Sequence, residues 1–185
     1  MDLDPNDERP HAPTDDGDWR ETWGFDLADV DLVGALRLTL IPAQRVCSWW
    51  TLVEGPDVGL IVVRDDAVAL PRRPESLEIR ADGLWGELVC ETPFEHWGIA
   101  LEAFGLRVDD PNDEVGERLP VGLDLEWELT GSPSRVELDG GARITHPGRV
   151  HGDLLVADER IAVNAAARRD HAWGRIPPEA WPPSL

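Results

Sequence analysis

Near its C-terminal end the chain runs Arg168-Arg169-Asp170-His171-Ala172-Trp173-Gly174. Side chains on a strand alternate between faces, so Arg169, His171 and Trp173 share one face while Asp170 and Ala172 take the other. An imidazole beside an indole and a guanidinium, all facing one cavity, can protonate an alkene or steer a cation. Histidine is the side chain that titrates nearest neutral pH. The same spacing also suits a plain strand end at which Asp170 and Arg169 satisfy backbone groups. A second run, Glu91-Thr92-Pro93-Phe94-Glu95-His96-Trp97, puts Glu95 and Trp97 on one strand face and His96 on the other. Glu91 or Glu95 could serve as a carboxylic acid in an apolar pocket, where burial raises a carboxyl pKa. The bland alternative is a charged strand entrance beside a buried tryptophan.

Other chemistries have weaker support. His146 and His151 are five apart, on opposite faces of a regular strand, and no HxH or HxxxH spacing occurs. Neither a metal site nor a cofactor is expected. Ser48 and Ser76 lie in no GxSxG setting and nothing activates Cys47. Glu126/Glu128 and Asp109/Asp110 could be glycosidase carboxylates, but an alternating strand explains Glu126 and Glu128 as its wet face. The tryptophans are the other large signal. Trp49, Trp85, Trp97, Trp127 and Trp173 fall in expected strands, and each ring buries roughly 150–250 Å². They could line a barrel of about eight strands around one small ligand, or fill its core. The expected ligand-binding set is Trp49, Trp85, Glu95, Trp97 and Arg169, and His171 beside Trp173 is the candidate catalytic pair.

The elements that must position these groups are strands nearly throughout. Residues 1–18 hold seven acids and almost nothing apolar, which predicts a disordered acidic leader. Strands are expected over 19–26, 34–42, 46–54, 58–64 and 67–70, with a turn at Asp65-Asp66. Others follow over 77–80 and 84–92, joined by the hairpin turn Ala81-Asp82-Gly83. Residues 94–108 fit a strand better than a helix because Gly98 and Gly105 interrupt them. In 121–130, Val121, Leu123, Leu125, Trp127 and Leu129 alternate with polar residues and glycine, the pattern of a sheet with one dry face. Strands over 149–156 and 160–165 form a hairpin, and a last one covers 166–173. The tail, 175–185, is proline-rich and cannot continue a sheet. Ten to twelve such strands make the fold all-β: an antiparallel lipocalin-like barrel or sandwich, one domain over 19–174.

Composition narrows the partners. The 185 residues carry 17 basic and 37 acidic side chains, a net charge of −20. That charge repels phosphate backbones and anionic membrane surfaces, so no nucleic-acid partner is expected. No apolar run nears the ~20 residues of a membrane helix, and the acidic N-terminus is no secretory signal. Cys47 and Cys90 stand outside any CxxC pattern, which fits two buried thiols in a cytoplasmic protein. Without a Gly-rich loop after a strand, nucleotide folds are poor candidates.

The Arg168–Gly174 run resembles the arginine-aspartate-histidine-serine-tryptophan-glycine motif of the hydroxyneurosporene synthase (carotenoid 1,2-hydratase) and AttH-like superfamily. The stretch from about Trp23 to Gly174 is similar to the first half of actinobacterial members, through Leu77-Glu78-Ile79-Arg80-Ala81-Asp82-Gly83-Leu84-Trp85, Cys90-Glu91-Thr92-Pro93-Phe94-Glu95-His96-Trp97 and Val121-Gly122-Leu123-Asp124-Leu125-Glu126-Trp127. The resemblance implies two lipocalin-like β-domains in tandem and hydrophobic, often isoprenoid or polyene, substrates. It also implies acid-catalysed addition of water to a carbon–carbon double bond, or cyclisation, without a cofactor. It carries active-site roles to His171 and Trp173, and the motif aspartate to Asp170. The chain departs from the pattern at Ala172, which replaces the serine. It also has no tyrosine, and only eleven residues follow Gly174.

Two functions from different classes follow. One is a cofactor-independent hydratase- or cyclase-like enzyme with His171 as acid/base and Trp173 stabilising positive charge. The other is a non-catalytic lipocalin-like module for a lipid or isoprenoid, or half of a two-domain protein. If a second domain is missing, the surface near Trp173 and Ile176 is expected to be bare and to pair two copies as a homodimer.

Overall fold

Alternating apolar residues make a strand with one dry face, and a sheet of such strands buries that face by curling onto itself. The computed structural model shows this closure; it describes residues 3–14, 17–73 and 75–183. Residues 1, 2, 15 and 16 of the expected leader, Pro74 and residues 184–185 of the tail lie outside the described residues. Eleven antiparallel strands form one sheet: β1 Trp19–Ala28, β2 Val33–Ile41, β3 Val46–Gly55, β4 Gly59–Ala69, β5 Leu77–Ala81, β6 Leu84–Thr92, β7 His96–Val108, β8 Glu117–Leu129, β9 Ser134–Leu138, β10 Gly141–Val156 and β11 Glu159–Arg175. The order β4-β3-β2-β1-β11-β10-β8-β7-β6-β5 becomes a ring because β4 also pairs with β7, through Leu60–Val62 against Leu106–Val108. Strands β5 and β6 continue from the other half of β7, and β9 hangs on β10.

Several boundaries differ from the pattern-based expectation: β8 and β10 begin earlier, at Glu117 and Gly141, and β9 is an added strand. Asp65-Asp66 is no turn: β4 runs through it, with a register shift against β3 between Cys47 and Trp49, Asp66 being exposed and Asp65 half-buried. The last two expected strands are one, β11, which pairs with β10 along its whole length and with β1 at its far half. The leader is not featureless. Residues 3–14 form a strap with a 3-10 turn at Pro5–Glu8, and Asp4 caps that turn by accepting from the Asn6 amide at 2.9 Å.

The barrel body is dry. Val121, Leu123, Leu125 and Trp127 of β8 are buried as expected, and Leu129 is half-buried. Trp23, Trp49, Trp97 and Trp127 are almost wholly enclosed. Gly148 is required beside Trp127, because a Cβ there would stand 2.4 Å from the indole. The space left at the centre, lined by Phe25, Leu36, Ile99, Leu125 and Trp127 among others, is only about 20 Å³. The tryptophans therefore fill the core rather than surround a guest. No helix among the described residues is long and apolar enough to cross a membrane.

Candidate active site at the barrel end

Pairing of β10, β11 and β1 stacks inward side chains in rows across the wall. Trp173 lies opposite Glu21 and Ala142, His171 opposite Trp23 and Ile144, and Arg169 opposite Phe25 and His146. Further along β11, the inward positions are Ala167, Ala165 and Val163. One strand thus runs from apolar body to ionisable end with its alternation unbroken. The strap covers that end.

His171 is fully buried, and its Nε2 lies 2.8 Å from Glu21 Oε1. Burial in apolar surroundings lowers its pKa against the opposing pull of Glu21. The neutral ring therefore keeps its proton on Nε2, donates it to Glu21, and leaves the Nδ1 lone pair without a partner. Trp23 stacks on the ring at 4.6 Å between centroids, and Trp173 tilts against it at 5.0 Å. His11 of the strap donates to the same carboxylate: its Nδ1 is 2.7 Å from Oε1 and its amide 2.9 Å from Oε2. Its ring stacks on Trp173 at 4.0 Å.

Beside this dyad lies a second buried pair. Arg169 is fully buried, its guanidinium 4.2 Å over the Trp97 ring. A charge taken out of water is costly unless paired. The partner is Glu8, whose Oε1 and Oε2 both lie 2.9 Å from Nη1. Burial, the largest single influence, would raise the Glu8 pKa; the Arg169 charge and hydrogen bond, joined by the pull of His171 and the Trp97 hydrogen bond, together outweigh it and hold the carboxyl below its ordinary value. Glu8 Oε2 also accepts from Trp97 Nε1 at 2.8 Å and from the Phe94 amide at 3.3 Å. Phe94 has a φ of 66°, a left-handed conformation that costs a bulky residue ~1–3 kcal/mol. Arg169 Nη1 also donates to His146 Nδ1 at 3.3 Å. Burial, then the Arg169 charge, push the His146 pKa down to about 4.

His11, Glu21 and His171 are the described residues whose ligand atoms come close enough to share a metal ion, all within 4.8 Å. Ligating histidines almost always donate their second nitrogen to a partner, and His171 Nδ1 has none. The trio fits a hydrogen-bonded relay better.

The sequence-derived site splits. Arg169, His171, Trp173 and Trp97 come together at the barrel end. Asp170 faces outward, accepting from Thr145 Oγ1 at 2.6 Å and pairing with Arg168 at 3.0 Å, in an outer hollow shared with Arg37 and Glu179. Trp49 is in the body, bonded to Thr51 Oγ1 at 3.0 Å. Trp85 lies on the outer face, where its indole donates to Glu78 at 3.1 Å, and Glu95 is exposed in the β6–β7 turn. Glu8, His11, Glu21 and His146 escaped the pattern. For Glu21 a signal existed: it alternates in phase with Trp19, Trp23 and Phe25, an acid on a dry face. Among the described residues, Trp173 and Ile176 do not form the bare patch expected: they are 6% and 8% exposed, His11 of the strap stacks on Trp173 and Leu3 packs against the cluster of Trp19, Ala142, Ile144 and Trp173. Burial raises Cys47 to about 12 and Cys90 to about 11, so both thiols are unreactive at neutral pH.

The fold is a closed antiparallel lipocalin-like barrel, and one of its ends carries a cluster of ionisable side chains. The chain belongs to the family described as Domain of unknown function (DUF7064), which matches residues 4–181. It is similar in fold to the crystal structure of an AttH candidate protein from Nitrosomonas europaea, with a TM-score of 0.57 and 11% identity over 89% of this chain. It spans about half of that protein, 53% of its length. No curated protein matches the chain.

Proposed function

We propose that the chain takes up a hydrophobic small molecule at the strapped barrel end and acts on it by acid–base chemistry. The observation that carries this reading is the buried Glu21–His171 dyad: Glu21 fixes Nε2 and leaves Nδ1, bare and neutral, as a base. A carboxylate behind an imidazole orients it and stabilises the imidazolium formed when it takes a proton. The imidazolium can pass that proton to a carbon–carbon double bond, its N–H bond breaking as the C–H bond forms; the carbocation, favoured by the Trp23 and Trp173 π faces, then either loses a proton to the freed imidazole nitrogen or takes up water that gives its proton there. Supporting this, such a concentration of buried ionisable groups is what functional sites, rather than packing, require. The central space of about 20 Å³ is too small for a guest. A groove of about 510 Å³ beside the strap touches Glu8, Leu77, Leu88, Val89 and Trp97 and reaches the Glu8–Arg169 pair next to the dyad, where we place the ligand. The full enclosure of His171 under the strap favours a second reading, a module that only binds.

The test is incubation with an organic extract of hydrophobic metabolites, then mass spectrometry of the retained and released fractions. The enzyme reading predicts a retained compound that wild type changes and His171→Ala leaves unchanged. Retention without change in both proteins supports the binding module, and no retention contradicts both.

A further inference from the structure

Glu8 is an acid with 1% exposure, yet it comes from the strap and not from the barrel wall. The wall holds its carboxylate with three donors on three separate elements: Arg169 Nη1 of β11, Trp97 Nε1 of β7 and the Phe94 amide of the β6–β7 turn. The donors exceed what Glu8 can satisfy. Arg169 Nε and Nη2 and the Trp127 indole nitrogen are buried without partners. His146 accepts from Arg169 at Nδ1, so its own proton sits on Nε2, which also has no partner. These unmatched atoms are N–H donors, and a carboxylate is an acceptor-only group. The 510 Å³ groove touches Glu8 and Trp97; Leu77, Leu88, Val89 and Cys90 form its apolar wall, and Arg9, Glu75, Ser76 and Glu87 also line it.

We propose that this cradle binds the carboxylate head of a hydrophobic carboxylic acid, with the acyl body in the groove and the chain's own Glu8 as the competing occupant. This rests on the hydrophobic-ligand reading above and adds its head group. A guanidinium with free N–H groups matches two carboxylate oxygens, whereas an alcohol offers one oxygen and an amine none. The net charge of −20 opposes an approaching anion at a distance. At physiological salt, that field is screened within about 8 Å, and the cradle acts at contact.

Decanoate and decanol are titrated into wild type, Glu8→Ala and Glu8→Gln, with tryptophan fluorescence as the readout. Removing the internal occupant should let Glu8→Ala bind decanoate at least tenfold tighter than wild type does, and at least tenfold tighter than it binds decanol. Acetate at 0.1 M should raise the melting temperature of Glu8→Ala and leave that of wild type unchanged. Glu8→Gln keeps the side-chain size and should show the same order if the alanine variant does not fold. In wild type, decanoate should speed amide exchange across residues 5–11; with neither variant folded, unchanged exchange overturns the inference. Equal affinity for decanoate and decanol in every protein overturns the head group and leaves the hydrophobic-ligand reading standing. Binding of neither overturns both. A destabilised Glu8→Ala that gains nothing from decanoate or acetate makes Glu8 a structural anchor only, and also overturns it.

Discussion

The two halves of β11 share one wall, β10 along one side and one alternation, and they do opposite things. In the body, Val163, Ala165 and Ala167 face a core closed by tryptophans and aliphatics. At the end, Arg169, His171 and Trp173 meet Glu8, Glu21 and His11. Packing explains the body, because burial of apolar surface is favourable at any such position. Packing does not ask for an arginine, two imidazoles and two carboxylates out of water. Replacing buried ion pairs by well-packed apolar residues is often neutral or stabilising. The barrel end is therefore expensive by its own physics, and the strap that supplies Glu8 and His11 makes it tolerable.

The sharpest way to break this contrast is to remove one charge. Arg169→Met leaves Glu8 buried and unpaired and should cost ~3–5 kcal/mol in urea unfolding. It should also release the strap, seen as proteolytic cleavage within residues 3–14. In the body, Leu101→Ala should cost about 3 kcal/mol through lost contacts and a cavity, with the strap still protected and the pH dependence unchanged. Equal strap release in both variants would erase the distinction.

The pH dependence separates the regions next. His146 and His171 are both depressed, first by burial. As pH falls below 6.5, unfolded histidines take up protons that the folded ones refuse. Stability is therefore full above about pH 6.5 and is lost as pH falls toward about 4, where His146 protonates in the fold. Each such histidine contributes a slope of up to ~1.4 kcal/mol per pH unit. His146→Gln should flatten the profile by about one proton, as measured by chemical unfolding between pH 4.5 and 7. The smallest effect belongs to the outside of the body: Arg160→Ala breaks an exposed pair with Asp153 and should leave the melting curve unchanged.

The body was legible in the sequence because strand periodicity is local. The alternation of Val121, Leu123, Leu125 and Trp127 needs no partner to be seen, and the same rule placed Arg169, His171 and Trp173 on one inner face. It also explains why Trp85 was misplaced. Leu84, Gly86 and Leu88 take the inward positions of β6, so Trp85 is turned outward although its residue type suits a core. The end was half legible because its other half comes from distant chain. Glu8 pairs with a residue 161 positions away, and acidic, proline-containing sequence like that of the strap ordinarily stays disordered. Its order depends on Arg169, Arg135 and Glu21, which no local window contains.

The central claim is that the barrel end holds a neutral histidine base fixed by a buried carboxylate. Histidine-labelled protein read by nitrogen–proton correlation NMR tests it most directly, because the two ring nitrogens report tautomer and charge separately. At pH 7 the account predicts that His171 is neutral, with its proton on Nε2 and Nδ1 unprotonated. In Glu21→Gln it predicts a still lower pKa, because the carboxylate no longer favours the charged ring. A His171 found protonated at pH 7, or carrying its proton on Nδ1 in the wild type, would contradict it.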